Sequence, residues 1–237
     1  MTEHAITTRE EWLQARKDLL AEEKAFTRAR DALSAKRRAL PWIKIDKPYR
    51  FETPDGVVTL GDLFGQRKQL IVQHFMFAPD WEKPCKSCSF WADGFNLIVA
   101  HLEQRDTAFA AVSRAPLEKL EARKRKMGWT FPWVSSGDSD FNYDFAVSFR
   151  DNEMKAGTAT YNYAPKQGTM NELPGISAFV KGDDGAVYHT YSCFARGLDL
   201  MNPAYNYLDL TALGRQEEGL PMAMSWVRLR DEYAAQR

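Results

Sequence analysis

The sequence predicts an α/β fold in which a central mixed sheet is flanked by helices. Two near-continuous apolar segments, residues 69–77 and 107–113, are typical of buried strands, and a segment with helical spacing follows each of them. Hairpins are predicted at residues 49–59, across Pro-Asp-Gly, and at residues 176–191, across Asp-Asp-Gly. Strands that alternate with helices in this order imply one sheet covered on both faces.

Composition narrows the range of functions. The chain has 237 residues, of which 44% are hydrophobic and 27% are charged, so a globular protein is predicted. Its formal net charge is zero, which argues against binding to nucleic acid or to an anionic membrane through overall charge. No apolar run approaches the ~20 residues that span a bilayer. The first residues contain no apolar segment, so we predict no secretory signal and a cytoplasmic location.

A long N-terminal helix is predicted before the α/β region. Thr7 or Thr8 forms a capping box with Glu10 or Glu11, and Pro41 stops the helix. We therefore divide the chain into a helical arm, residues 1–41, and a second domain, residues 42–237. The arm either lies on its own domain or pairs with a second copy, and we predict a homodimer. Its apolar stripe repeats every seven residues at Trp12, Leu19, Phe26, Leu33 and Leu40.

Four further segments complete the predicted order. A helix is expected over residues 85–104, and a basic helix over residues 116–127 ends at a glycine. Residues 148–173 are polar and lack a clear period, so we expect an irregular loop that acts as a lid or a binding segment. A last helix is expected to begin at Pro221.

The chemistry is predicted to lie in a Cys-x-x-Cys pair, Cys85 and Cys88, between the first buried strand and a helix. Pro84 is expected in the first helical turn, which leaves Cys85 among unpaired backbone N–H groups that stabilise a thiolate. Lys83 and Lys86 add two positive charges nearby. Cys88 lies three residues further on, on the same face and one turn deeper. This spacing suits a nucleophilic thiol, Cys85, and a resolving thiol, Cys88.

Two other interpretations of the pair stay open, namely half of a zinc site and two unreactive thiols. A structural zinc site usually needs four ligands, and the sequence has no second Cys-x-x-Cys, so we predict neither a metal nor a cofactor. Cys193 is predicted to be a small buried apolar residue that stays outside the disulfide. The depth of Cys85 is the most informative unknown, because it is either exposed or sealed beneath Trp81 and the 148–173 segment.

Longer strings around these residues carry a family resemblance. The chain reads FETPDG at residues 51–56, QLIVQHFMFAPDW at 69–81, CKSCSFWADGF at 85–95 and PGISAF at 174–179. These strings resemble the bacterial domain of unknown function 899 family, which is catalogued as predicted dithiol-disulfide oxidoreductases. The resemblance covers nearly the whole chain and implies a thioredoxin-like fold.

Two larger families are similar more distantly. Peroxiredoxins share the Asp-Gly hairpin, the apolar strand, a proline matched by Pro79 and a cysteine matched by Cys85. Their threonine between that proline and the cysteine is missing here. Thioredoxins share the Cys-x-x-Cys, but the proline that faces their dithiol is matched by Ser177, and Pro174 lies three residues earlier.

Three functions follow as hypotheses. The first is a thiol-disulfide oxidoreductase that acts on an unknown thiol or disulfide with an unknown electron donor. The second is a peroxidase that reduces a hydroperoxide at Cys85, whose sulfenic acid is resolved by Cys88. The third is a non-catalytic thioredoxin-like binding protein that recognises a partner through its long loop and helical arm.

Overall fold

A computed structural model describes residues 4–137 and 139–233, and the chain divides into two compact units, Met1–Pro41 and Trp42–Arg237. The first unit contains one helix of 30 residues, α1 (Arg9–Arg38). Thr8 caps this helix, because its Oγ1 accepts a hydrogen bond from the Glu11 backbone N–H at 3.2 Å while the Glu11 carboxylate accepts from the Thr8 N–H at 3.1 Å. No residue of α1 is buried, and its apolar stripe is exposed.

The second unit is built on a mixed sheet of eight strands in the described residues, in the order β1-β10-β9-β4-β5-β6-β2-β3. The neighbours β4, β5 and β6 are parallel, and the remaining pairs are antiparallel. A two-stranded ribbon, β7–β8, is separate from this sheet. The strands are β1 (Ile43–Lys44), β2 (Arg50–Thr53), β3 (Gly56–Thr59), β4 (Gln69–His74), β5 (Thr107–Ser113), β6 (Trp133–Ser135), β7 (Thr160–Tyr161), β8 (Ala164–Pro165), β9 (Gly175–Lys181) and β10 (Val187–Phe194).

Helices connect and flank these strands. The helices are α2 (Lys86–Phe95), α3 (Val99–Glu103), α4 (Leu117–Met127), α5 (Phe141–Asp144), α6 (Asp151–Ala156), α7 (Pro203–Leu208) and α8 (Arg230–Tyr233). Short 3-10 helices lie at Asp62–Phe64 and Ala195–Met201. This arrangement is the α/β fold that the sequence predicts, with a central mixed sheet flanked by helices.

The sheet separates two hydrophobic cores. The dithiol-side core contains Cys88 of α2, Leu120 of α4 and Trp133 of β6, whereas the opposite core contains Val72 of β4 and Phe141 of α5. Successive side chains of a strand point to opposite faces, so β4 contributes Leu70 and Val72 to the opposite core and Ile71 to the dithiol-side core. Burying one large apolar side chain is worth roughly 1.5–3 kcal/mol, so these two cores hold the sheet between its helices.

A chain of polar side chains crosses three strands within the sheet. His74 Nε2 on β4 lies 2.8 Å from Ser177 Oγ on β9, which lies 2.7 Å from Ser192 Oγ on β10. Ser192 Oγ in turn lies 2.7 Å from His189 Nε2. Burial lowers the pKa of both imidazoles, that of His74 to about 3, so both histidines are neutral near pH 7.

The predicted helix over residues 85–104 is wrong as one continuous element. It is divided into α2 and α3 by a tight turn in which the Ile98 N–H donates to the Phe95 carbonyl at 3.2 Å, and the Asn96 side chain in that turn accepts a hydrogen bond from the Thr130 N–H at 2.7 Å. The predicted helix from Pro221 is also wrong, since only α8 is helical there. Glu217 accepts hydrogen bonds from the Met224 N–H and the Trp226 Nε1, each at 2.8 Å, and holds that segment in an irregular path.

The segment 148–173 contains more regular structure than we predict from its composition. It contains α6 and the β7–β8 ribbon. The two residues between those strands, Asn162 and Tyr163, both have positive φ, 52° and 62°. That turn usually carries glycine, which is absent here, so the sequence gives no signal for it. Within the described residues, no helix is long and apolar enough to cross a membrane.

Candidate active site

The segment between β4 and α2 carries the first cysteine and is fixed by backbone hydrogen bonds. The Cys85 N–H donates to the Met76 carbonyl at 3.1 Å, which closes the segment into a loop. The Lys119 ammonium of α4 donates to the carbonyls of Pro79 at 2.8 Å and Trp81 at 3.0 Å. The approach to the dithiol is therefore held in place from the sheet and from α4.

Cys85 is the N-cap residue of α2, and its backbone is extended with φ −53° and ψ 125°. The Ser89 backbone N–H and Oγ both donate to the Cys85 carbonyl at 3.0 Å, so the helix begins directly after the cysteine. Pro84 precedes the cap and does not lie in the first helical turn as the sequence predicts. The helix begins at Lys86, one residue later than the predicted start at residue 85, because the cysteine itself takes the cap position.

The pKa values of the two thiols are shifted in opposite directions. The Cys88 thiol donates a hydrogen bond to the Cys85 sulfur, and this contact is the largest cause that lowers the pKa of Cys85 from 9.0 to about 6. Burial opposes this shift, whereas the backbone N–H groups of Cys88 and Ser87 and the Ser87 hydroxyl favour the thiolate. The same contact, together with burial, raises the pKa of Cys88 well above 9.0. Near neutral pH the arrangement favours a thiolate at Cys85 and a thiol at Cys88.

Both lysines that flank Cys85 in sequence are engaged with the C-terminal part of the chain. The Lys83 ammonium lies 3.0 Å from a Glu232 carboxylate oxygen, and the Lys86 ammonium donates to the Ser225 carbonyl at 3.1 Å. The predicted stabilisation of the Cys85 thiolate by these two positive charges stays a prediction. The groups that lower the pKa of Cys85 are the Cys88 thiol, the backbone N–H groups at the start of α2 and the Ser87 hydroxyl.

A buried ion pair, which sequence reasoning missed, accompanies the dithiol. The Glu172 carboxylate is 1% exposed and accepts hydrogen bonds from Arg114 Nη1 at 3.0 Å and from Ser148 Oγ at 2.8 Å. Burial raises the pKa of Glu172, and its negative charge contributes to the raised pKa of Cys88. Glu172 lies in a polar segment without periodicity, so nothing in the sequence distinguishes it from a solvated glutamate.

Cys193 lies near the end of β10 and packs, half-buried, against the dithiol-side core. Tyr161 links this strand end to the 148–173 segment, because its hydroxyl donates to the Pro174 carbonyl at 2.8 Å and accepts from the Ala195 N–H at 2.9 Å. Burial raises the pKa of Tyr161 to about 12, and the charges of Cys88 and Cys193 act in the same direction. None of the three cysteines, all of which are described, forms a disulfide.

On β9, Ile176 packs against the same core as Cys85. Ser177, which the comparison with thioredoxins matches to their proline, is fully buried and hydrogen-bonded to His74. Ile176 and Ser177 lie on opposite faces of the sheet because successive side chains of a strand alternate between its two faces. Among the described residues, no three His, Cys, Asp or Glu side chains lie close enough together to hold a metal ion.

Several solved structures are similar to this chain at low sequence identity. A Cys-to-Ser mutant of the peroxiredoxin PrxQ from Xylella fastidiosa is 16% identical, with a TM-score of 0.44, and the match covers 70% of this chain and 95% of that one. The peroxidoxin BcpB from Mycobacterium tuberculosis is 12% identical, with a TM-score of 0.45, over 68% and 93%. A putative protein disulfide isomerase from Bacteroides thetaiotaomicron is 17% identical, with a TM-score of 0.39, over 70% and 91%.

No curated protein matches this chain. A family model described as a bacterial protein of unknown function (DUF899) matches it over residues 1–233. That match takes in the long N-terminal helix as well as the sheet and the Cys-x-x-Cys pair. With nearly all of its 237 residues matched, the chain belongs to the DUF899 family.

Proposed function

We propose that this protein is a thiol-disulfide oxidoreductase in which Cys85 is the nucleophile and Cys88 the resolving thiol. The observation that carries the proposal is the placement of Cys85 at the N-cap of α2, with Cys88 buried in the first turn of the same helix. The pKa of Cys85 is lowered to about 6 and that of Cys88 is raised well above 9.0. Only a thiolate attacks a disulfide, so this pair separates a sulfur that attacks first from one that attacks second.

The exchange proceeds in two steps. The Cys85 thiolate attacks one sulfur of a substrate disulfide, a mixed disulfide forms, and the first substrate thiolate leaves and takes a proton from solvent. The Cys88 thiol then loses its proton to solvent and attacks the Cys85 sulfur, which releases the second substrate thiolate. Two electrons pass from the dithiol to the substrate. Two equivalents of a thiol reductant return them, and a reducing cytoplasm supplies such thiols.

An assay of insulin reduction run beside an assay of peroxide consumption tests the proposal. Disulfide reduction that is lost in Cys85→Ser, and that stalls at the mixed disulfide in Cys88→Ser, is the expected result. Cys193→Ser is the matched control and should retain the activity. Fast consumption of hydroperoxide without disulfide reduction would instead support the peroxidase. Inactivity in both assays, with slow alkylation of Cys85, would support the non-catalytic binding protein.

A further inference from the structure

A groove between Trp81 and the 148–173 segment is a feature that the exchange chemistry leaves unexplained. Its volume is about 390 Å³, and its walls are Trp81 on one side and the 148–173 segment on the other. Small-molecule sites have volumes of roughly 300–1,000 Å³, so this groove is at the small end of that range. The lining residues are Trp81, Asp151, Met154, Lys155, Thr169, Met170 and Asn171.

Trp81 connects the groove to the reactive sulfur. It lies four residues before Cys85, in the loop that Lys119 holds through the Trp81 carbonyl at 3.0 Å. Trp81 and Cys85 both pack, partly buried, against the dithiol-side core. On the opposite wall, Asn171 directly precedes Glu172, whose charge acts on Cys88, so each wall belongs to a segment next to the dithiol.

The opposite wall is anchored before any ligand binds. The Phe149 N–H donates to the Asn171 carbonyl at 3.0 Å, and the Ser148 hydroxyl donates to the buried Glu172 carboxylate at 2.8 Å. Glu172 is paired with Arg114 at 3.0 Å. These contacts fix both ends of the wall, so the groove is largely preformed and a ligand loses little free energy in ordering it.

The lining specifies the kind of group that fits. An indole and two thioethers, from Trp81, Met154 and Met170, offer an apolar and polarisable surface that adapts to ligand shape. Asp151 and Lys155 are exposed at the same groove and carry one charge of each sign, so the lining does not select for net charge. The chemistry favours a compact apolar substituent over a strongly charged one.

We propose that this groove binds the apolar substituent of a low-molecular-weight disulfide and presents its sulfur to Cys85. The proposal rests on the thiol-disulfide function and specifies its substrate class. A compact apolar disulfide fits a groove of this volume, whereas a folded protein would have to bring its disulfide in between Trp81 and the 148–173 segment. Met154 and Met170 then determine specificity without taking part in the exchange itself.

Single-turnover kinetics of the reduced protein test this assignment without an electron donor. Three disulfides are compared: benzyl 2-hydroxyethyl disulfide, bis(2-hydroxyethyl) disulfide and insulin. We expect the benzyl compound to react about tenfold faster than the bis-hydroxyethyl compound, since a few extra methylenes in an apolar pocket are worth about 10–200-fold. The double variant Met154→Ala/Met170→Ala should lose that advantage, so that the rate for the benzyl compound falls toward the rate for the bis-hydroxyethyl compound. Met222→Ala, which changes a methionine that is 71% exposed and outside the groove, is the control.

The outcomes distinguish failure of the groove assignment from failure of the thiol-disulfide function. Equal rates for both small disulfides, or a methionine double variant that keeps the benzyl preference, overturn the groove assignment and leave the dithiol function intact. Insulin that reacts faster than either small disulfide overturns the substrate class. Failure of all three disulfides to oxidise the dithiol refutes the oxidoreductase function, and the groove assignment fails with it.

Discussion

The hydrogen bond from Cys88 to Cys85 can be removed or retained by a single substitution. Cys88→Ala deletes the donor, whereas Cys88→Ser keeps an O–H at the same position. The folded protein lowers the pKa of Cys85 from 9.0 to about 6. At 1.36 kcal/mol per pKa unit, this difference corresponds to about 4 kcal/mol in favour of the thiolate.

The size of the expected change follows from the same contact. A hydrogen bond to a charged group contributes about 1.5–3 kcal/mol, or about 1–2 pKa units. In Cys88→Ala the pKa of Cys85 should therefore rise to about 7–8, because the backbone N–H groups of Ser87 and residue 88 stay in place. In Cys88→Ser the pKa should stay close to that of the parent protein.

The rate of alkylation by iodoacetamide as a function of pH measures this pKa, because only the thiolate reacts. All variants carry Cys193→Ser, so that Cys85 is the accessible thiol. The parent should reach half of its maximal rate near pH 6. Identical titrations of Cys88→Ala and Cys88→Ser would refute the reasoning, since the lowered pKa would then come from the helix end and not from the neighbouring thiol.

Three further predictions concern disulfide pairing, stability and assembly. Mild oxidation should join Cys85 to Cys88 and leave Cys193 outside, and mass spectrometry after digestion would contradict this if any link involved Cys193. Burial lowers the pKa of His74 to about 3, so below about pH 6.5 the unfolded chain binds a proton that the folded chain does not. Urea unfolding should show a loss of about 2 kcal/mol from this residue between pH 7 and pH 5, and a constant free energy of unfolding would count against it. The intact chain should scatter light as a homodimer, because α1 exposes a stripe whose Phe26 is 64% exposed; Phe26→Glu should weaken the dimer, and a monomeric parent chain would exclude it.

The sequence was informative where one local pattern determines a structure. Strand β5 has the predicted bounds, because a continuous apolar run fits only a buried strand there. Helix α4 ends as predicted, because Gly128 takes a left-handed conformation with φ 68°. The position of the Cys-x-x-Cys pair at the start of the helix that follows β4 could also be predicted from the sequence pattern.

The sequence was uninformative where distant residues determine a structure. The irregular path before α8 depends on Glu217, which binds the backbone of Met224 seven residues later. The ion pair of Arg114 with Glu172 joins residues 58 positions apart. Only its burial distinguishes it from an ordinary surface pair. Whether a glutamate is solvated or paired in a core depends on which elements come together, and a local pattern does not record that.

The hydrogen bonds of the polar chain that crosses the sheet all donate in one direction. Three hydrogen bonds join His74, Ser177, Ser192 and His189, but the two hydroxyls supply only two hydrogens, so at least one imidazole donates at Nε2. Among the described residues His74 Nδ1 is buried without a partner, and a proton there would cost about 1–3 kcal/mol. Donation therefore runs from His74 to His189, whose remaining nitrogen donates to the Tyr191 backbone. A slip of β9 by one residue would turn Ser177 to the other face and break two of the three links, so this one-way row of donors also locks the register of three strands.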